Sequence, residues 1–319
     1  MNLAELAFVP NSLHKLPYKG RDTRGPGELD EVSEKNKSEK NKSEQNKPAQ
    51  WNLAGQVALV SGASQGIGRA VAQKMVRAGA EVVLLSRNSS ALEELAKELA
   101  KELAHGSGGP ALFSPRVFAQ DLSDLEGLEQ GLEALISELG KPIGIYVANS
   151  GGPPSGPLTE APAEHFEQAL RSHVLAPQLI VQKLLPGMRA QGWGRVINVI
   201  STSVKTPLPN LGVSNTIRAA VASWAKTLAG ELGVYGITVN NVLPGYTATE
   251  RLSSLMQAAA QRQGLTTEQV EQQWKKNVPM GRFAEPEEVA EAVVFLASQA
   301  SGYINGINLP VDGGRTACL

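Results

Sequence analysis

Seven consecutive residues carry the first chemical signal: Gly62-Ala63-Ser64-Gln65-Gly66-Ile67-Gly68. Glycines at this density let a chain turn tightly and bring its backbone up to a ligand with no Cβ in the way. The run follows an apolar segment, residues 57–60, and leads into an amphipathic stretch, 66–79, with Ile67, Val71 and Met75 on one face. A strand, a glycine turn and a helix N-terminus in that order present free backbone N–H groups to the phosphates of a dinucleotide. The second signal lies about 20 positions on, where NAD sites place an acidic residue against the ribose hydroxyls. This chain has Ser86-Arg87-Asn88 there. A carboxylate would repel a 2′-phosphate, whereas a guanidinium binds it by charge-assisted hydrogen bonds. The expected cofactor is therefore NADP(H), with Arg87 and Ser86 around its 2′-phosphate.

The elements that must hold these residues repeat regularly. Strand-like apolar runs occur at 57–60, 81–86, 116–120, 143–148, 196–200, 237–242 and 307–311. Amphipathic helical stretches fall between them at 66–79, 91–104, 124–139, 163–190, 213–232 and 286–297. In the second of these, Leu92, Leu95, Leu99 and Leu103 form one apolar stripe. Strand followed by helix, repeated this often, implies an α/β fold: a doubly wound parallel sheet of about seven strands with helices on both faces.

Length alone, at about 150 residues per domain, would suggest two domains in 319 residues. Composition redistributes them. Residues 1–50 carry the pentapeptides SEKNK, SEKNK and SEQNK and no apolar periodicity, so burial cannot offset their chain entropy. They are expected to form a disordered polar arm. Residues 51–319 form a single Rossmann domain. A net charge of −1 gives no electrostatic reason to expect a nucleic acid or an acidic membrane. The lone cysteine, Cys318, excludes an internal disulfide and a cysteine zinc site, and no His/Asp/Glu cluster has metal-ligand spacing. No apolar run reaches the roughly 18 residues of a membrane span. A cytoplasmic protein without a metal is expected.

Several further motifs, in order, make the chain resemble the short-chain dehydrogenase/reductase family, and within it the 3-oxoacyl-(acyl-carrier-protein) reductase-like members. Beyond the glycine turn, with Ser64, Gln65 and Ile67 inside it, Asp121-Leu122 matches the residues bordering the adenine ring. Ala148-Asn149-Ser150-Gly151 stands where the family has Asn-Asn-Ala-Gly. Residues 194–201 (GRVINVIS) match the strand that ends at the catalytic serine. Pro244-Gly245 followed by Thr249 matches the turn that holds the nicotinamide amide, and Asp312-Gly313-Gly314 the C-terminal signature. The resemblance spans roughly residues 53–314. It implies a Rossmann fold, a homotetramer or homodimer built through the long helices, and a substrate lid at about 246–280. The lid's stripe of Leu252, Leu255, Met256 and Ala259 suggests an apolar substrate.

The family's catalytic tetrad is Asn, Ser, Tyr and Lys, and here only Ser201 is retained. The tyrosine position, thirteen residues on, is Ser214; the lysine position is Arg218; the asparagine position is His173. A serine hydroxyl is a far weaker acid than a phenol. Arginine keeps the positive charge but stays protonated. Two residues are candidates to supply the missing proton: His173, which titrates near neutrality when unperturbed, and Tyr246, which follows Pro244-Gly245. The expected activity is NADP(H)-dependent interconversion of a small-molecule carbonyl and its alcohol, with a 3-oxoacyl thioester as one candidate. The alternative is an NADP(H)-binding homologue with impaired catalysis and a regulatory or sensing role.

Overall fold

A computed structural model describes residues 51–106 and 114–318. The expected arm, 1–50, lies outside the described residues. Seven strands appear: β1 (Val57–Ser61), β2 (Glu81–Ser86), β3 (Arg116–Ala119), β4 (Ile145–Ala148), β5 (Gly194–Val199), β6 (Ile237–Pro244) and β7 (Asn308–Val311). All pair in parallel, in the order β3-β2-β1-β4-β5-β6-β7. The order reverses between β1 and β4, and ligands of open α/β sheets bind beyond the strand ends at such a point.

Side chains alternate between the two faces of a strand, and each face has its own core. Ala58, Val60, Val82 and Leu84 pack on one side under α1 (Gly66–Arg77), α2 (Ser89–Gly106) and α9 (Pro286–Ala297). Val57, Leu59, Val83 and Leu85 pack on the other under α3 (Leu125–Leu139), α5 (Ala176–Ala190) and α6 (Gly212–Leu232). Leu92, Leu95 and Leu99 are fully buried, as their stripe predicts; each such side chain contributes about 1.5–3 kcal/mol. Asp124, expected inside the third helix, instead caps it, accepting from the Gly127 N–H at 3.1 Å.

The helical stretch expected over 163–190 is interrupted. It begins as α4 (Ala163–Leu170), widens into a π turn over Arg171–Leu175, and resumes as α5. Such bulges insert an extra residue into the turn and occur frequently at functional sites. This one carries His173.

An asparagine ladder ties the last three strands together. Asn198 Nδ2 donates to Asn241 Oδ1, and Asn241 Nδ2 to Asn308 Oδ1, both at 2.8 Å. The two sheet edges are β3, where Arg116 bridges to Glu138 and Glu81, and β7, which contains Pro310. No helix among the described residues is long and apolar enough to cross a membrane. Among them no group of three or more His, Cys, Asp and Glu could hold a metal ion.

Candidate active site

The glycine turn is fixed by close approach. Gly62 has φ +62°, and a Cβ placed on Gly68 would lie 2.1 Å from the Gly62 carbonyl oxygen. Only glycine satisfies the second constraint without moving the backbone. The residue before α1, Gln65, makes no side-chain capping bond, so the first-turn N–H groups stay open to an anion. Thr249, the residue before α7 (Glu250–Gln263), sits against the same turn: its methyl carbon would be 3.2 Å from a Cβ on Gly66. These residues fit a dinucleotide. At the end of β2, Arg87 is exposed and pairs with Asp121 at 3.7 Å. Asn149 is locked beside the turn, its N–H donating to Ser61 Oγ at 3.0 Å.

A small cleft opens across the ends of β4 and β5. It is lined by Asn149, Ser150, His173, Asn198 and Arg218, among others. The π turn delivers His173 to it, where Ser150 Oγ lies 2.7 Å from His173 Nδ1. Burial, then the nearby Arg218 charge, holds His173 well below the usual imidazole range, against a hydrogen bond with the Gly151 backbone. His173 is therefore neutral at physiological pH. The expectation of ordinary near-neutral titration needs that correction, and desolvation is the reason.

Ser214 and Arg218 lie one turn apart on α6, half-buried and buried respectively. Arg218 Nη1 donates to the Val199 carbonyl at 2.9 Å, while its buried Nε finds no partner among the described residues. Burial, and secondarily Arg251, lowers it to about 10, so it remains charged. Ser201, at the end of β5, accepts from the Ser203 N–H at 3.0 Å and is not among the residues lining the cleft.

The structure does not bring Tyr246 into the cleft. Its ring stacks on Trp274 at 4.8 Å, and its hydroxyl accepts from Arg315 Nη2 at 3.2 Å. It belongs to a separate small core formed by α7 and α8 (Thr267–Lys276), with Leu252, Met256, Ala259 and Val270 buried in it. The expected lid stripe is thus largely consumed by its own packing, and its apolar character says little about a substrate.

Arg251 was not singled out by the sequence. It is the second residue of α7, where a cation opposes the helix dipole; that mismatch is the signal that marks it. Its Nη2 donates to the Pro153 carbonyl at 2.5 Å, and the guanidinium lies over Gly152, beside the Ser150 strand end.

The family model described as enoyl-(acyl carrier protein) reductase matches residues 62–316. This chain belongs to the short-chain dehydrogenase/reductase family. It is 32% identical to gluconate 5-dehydrogenase of Gluconobacter oxydans over 272 residues, covering 85% of this chain and 99% of that one. It is also 32% identical to the 3-oxoacyl-(acyl-carrier-protein) reductase of Pseudomonas aeruginosa, covering 82% and 98%. Among solved structures, the L-sorbose reductase of Gluconobacter frateurii, complexed with NADPH and L-sorbose, aligns with a TM-score of 0.76. Its identity is 30%, and 84% of this chain and 99% of that chain are covered.

Proposed function

We propose that the protein is an NADP(H)-dependent oxidoreductase that interconverts a small-molecule carbonyl and its alcohol. The observation that carries this reading is the open N-terminus of α1 inside a glycine turn that excludes any Cβ, beside a cleft holding a hydroxyl, an imidazole and a guanidinium. The α1 N–H groups, with Ser64, Gln65 and Ile67 in the turn, would hold the diphosphate. Arg87 and Ser86 would take the 2′-phosphate, and Asp121 and Leu122 the adenine. Asn149, Ser150 and Gly151, with Pro244, Gly245 and Thr249, would border the nicotinamide, and Arg218 its ribose. When bound, NADPH supplies hydride and NADP+ accepts it.

The remaining task is the proton. Neutral His173 can accept one from the Ser150 hydroxyl as a bound alcohol passes its own to Ser150. In the reducing direction the same pair runs backwards, and the imidazolium, strongly acidic because it is desolvated, returns the proton to the substrate oxygen.

The test is NADPH fluorescence titration followed by turnover over 3-oxoacyl thioesters, ketoses and oxo acids, compared with Ser150→Ala and His173→Gln. Turnover that falls about a hundredfold in either variant, with NADPH affinity unchanged, is expected. The absent tyrosine favours a second reading, a cofactor-binding protein without catalysis. Tight NADPH binding with no turnover of any compound would select it, and absence of NADPH binding would overturn both.

A further inference from the structure

Two arginines near the cleft lack the counter-charge that buried guanidinium groups normally have. Arg218 is only 8% exposed, and Arg251 is half-buried. Neither forms an ion pair with a carboxylate among the described residues; their acceptors are the backbone carbonyls of Val199 and Pro153. The charge felt by Arg218 is that of Arg251, which is repulsive, and burial alone acts on Arg251. His173, the third titratable group here, is neutral and adds no compensation. Arg218 also keeps a buried Nε–H with no acceptor in the described chain. The site thus holds two positive charges and an unspent donor, with no carboxylate paired to either guanidinium among the described residues.

We propose that the substrate of this cleft is itself anionic: an oxo acid and its hydroxy-acid partner, whose carboxylate is held by Arg251 beside the Arg218 charge. This rests on the oxidoreductase reading above. The cofactor's own negative charges have other partners in that reading, namely the α1 N-terminus and Arg87, both on the β1–β2 side. A carboxylate matches the planar fork of a guanidinium in two parallel hydrogen bonds. Arg251 comes from the start of α7 and also bonds the loop after β4, so a substrate bound through it would join the two rims of the cleft. The acid would then be oriented with its carbonyl toward the Ser150–His173 pair.

The experiment is calorimetric titration of the full chain, saturated with NADP+, with C4–C8 2-oxo and 3-oxo acids and their methyl esters. At least one acid is expected to bind ten-fold or more tighter than its ester. Arg251→Gln should bring that ratio to within about two-fold at unchanged NADPH affinity, and Arg251→Lys should retain part of the preference. Acids binding no better than esters in every pair would overturn the proposal. So would an Arg251→Gln protein that loses NADPH affinity ten-fold while keeping the acid-to-ester ratio, since the guanidinium would then serve the cofactor. If neutral ketones turn over with NADPH while acids show no advantage, the anionic substrate is wrong and the oxidoreductase reading survives. If NADPH does not bind at all, both fail.

Discussion

The β1–α1 turn and the cleft at the ends of β4 and β5 lie in one domain but are built from different material. The turn is made by backbone: Gly62 and Gly68 touch so closely that no other residue type fits, and the binding groups are N–H groups that every residue possesses. The cleft is made by side chains: Ser150, His173 and Arg218 line it. A backbone site tolerates almost no substitution because the constraint is steric. A side-chain site can be rebuilt, provided that charge and proton accounting still close.

The contrast can be broken at several points. The largest effect belongs to the turn. Gly68→Ala forces a Cβ against the Gly62 carbonyl, and should cost about 3 kcal/mol of stability together with at least a hundredfold in NADPH affinity; thermal denaturation and fluorescence titration read the two. Next comes Arg218→Met, which removes a buried, unpaired charge. Turnover should fall about a hundredfold while stability is unchanged or rises by about 1 kcal/mol, a combination no turn variant should give. A Met variant that unfolds would show that the guanidinium is a structural strut. Arg87→Asp should weaken NADPH about 10- to 100-fold by placing a carboxylate at the 2′-phosphate position, and raise the relative use of NADH in the same assay.

The smallest effect is in pH dependence. His173 has a depressed pKa in the folded state, so between that value and about 6.5 the unfolded chain binds more protons. Stability should therefore be full above about pH 6.5 and decline as pH drops below it. Denaturant melts at pH 5 and 7 should differ less in His173→Gln than in the wild type. Only when pH falls to that depressed folded-state value does the native imidazolium become populated, and there carbonyl reduction should speed up while alcohol oxidation slows.

What could be read from sequence followed the same division. The strands and helices were placed to within a residue or two, because buried apolar runs alternate with amphipathic stripes such as Leu92, Leu95 and Leu99. In the 246–280 segment, Thr249 and Thr266 cap α7 and α8 through their hydroxyls. The π turn carries no comparable pattern. It preserves helical periodicity on either side, so its presence at Arg171–Leu175, and with it the pairing of His173 to Ser150, emerged only in three dimensions. Tyr246 illustrates the opposite failure. Its position after Pro244-Gly245 pointed to the nicotinamide, but Trp274, nearly thirty residues later, offered its ring a stacking surface. Arg251 was missed because its contact with the Pro153 carbonyl, 98 residues earlier, is set by the fold, and only its place in the first turn of α7 marks it in the sequence.

The edges of the sheet carry a consequence for how copies of this protein meet. Open strands are templates on which a foreign strand can dock and fibrils can start. On β7, Pro310 has no N–H to offer a newcomer. On β3, the Arg116 guanidinium and its acidic partners would have to be stripped of water before another strand could settle. Both described edges thus carry features that discourage another strand from pairing there.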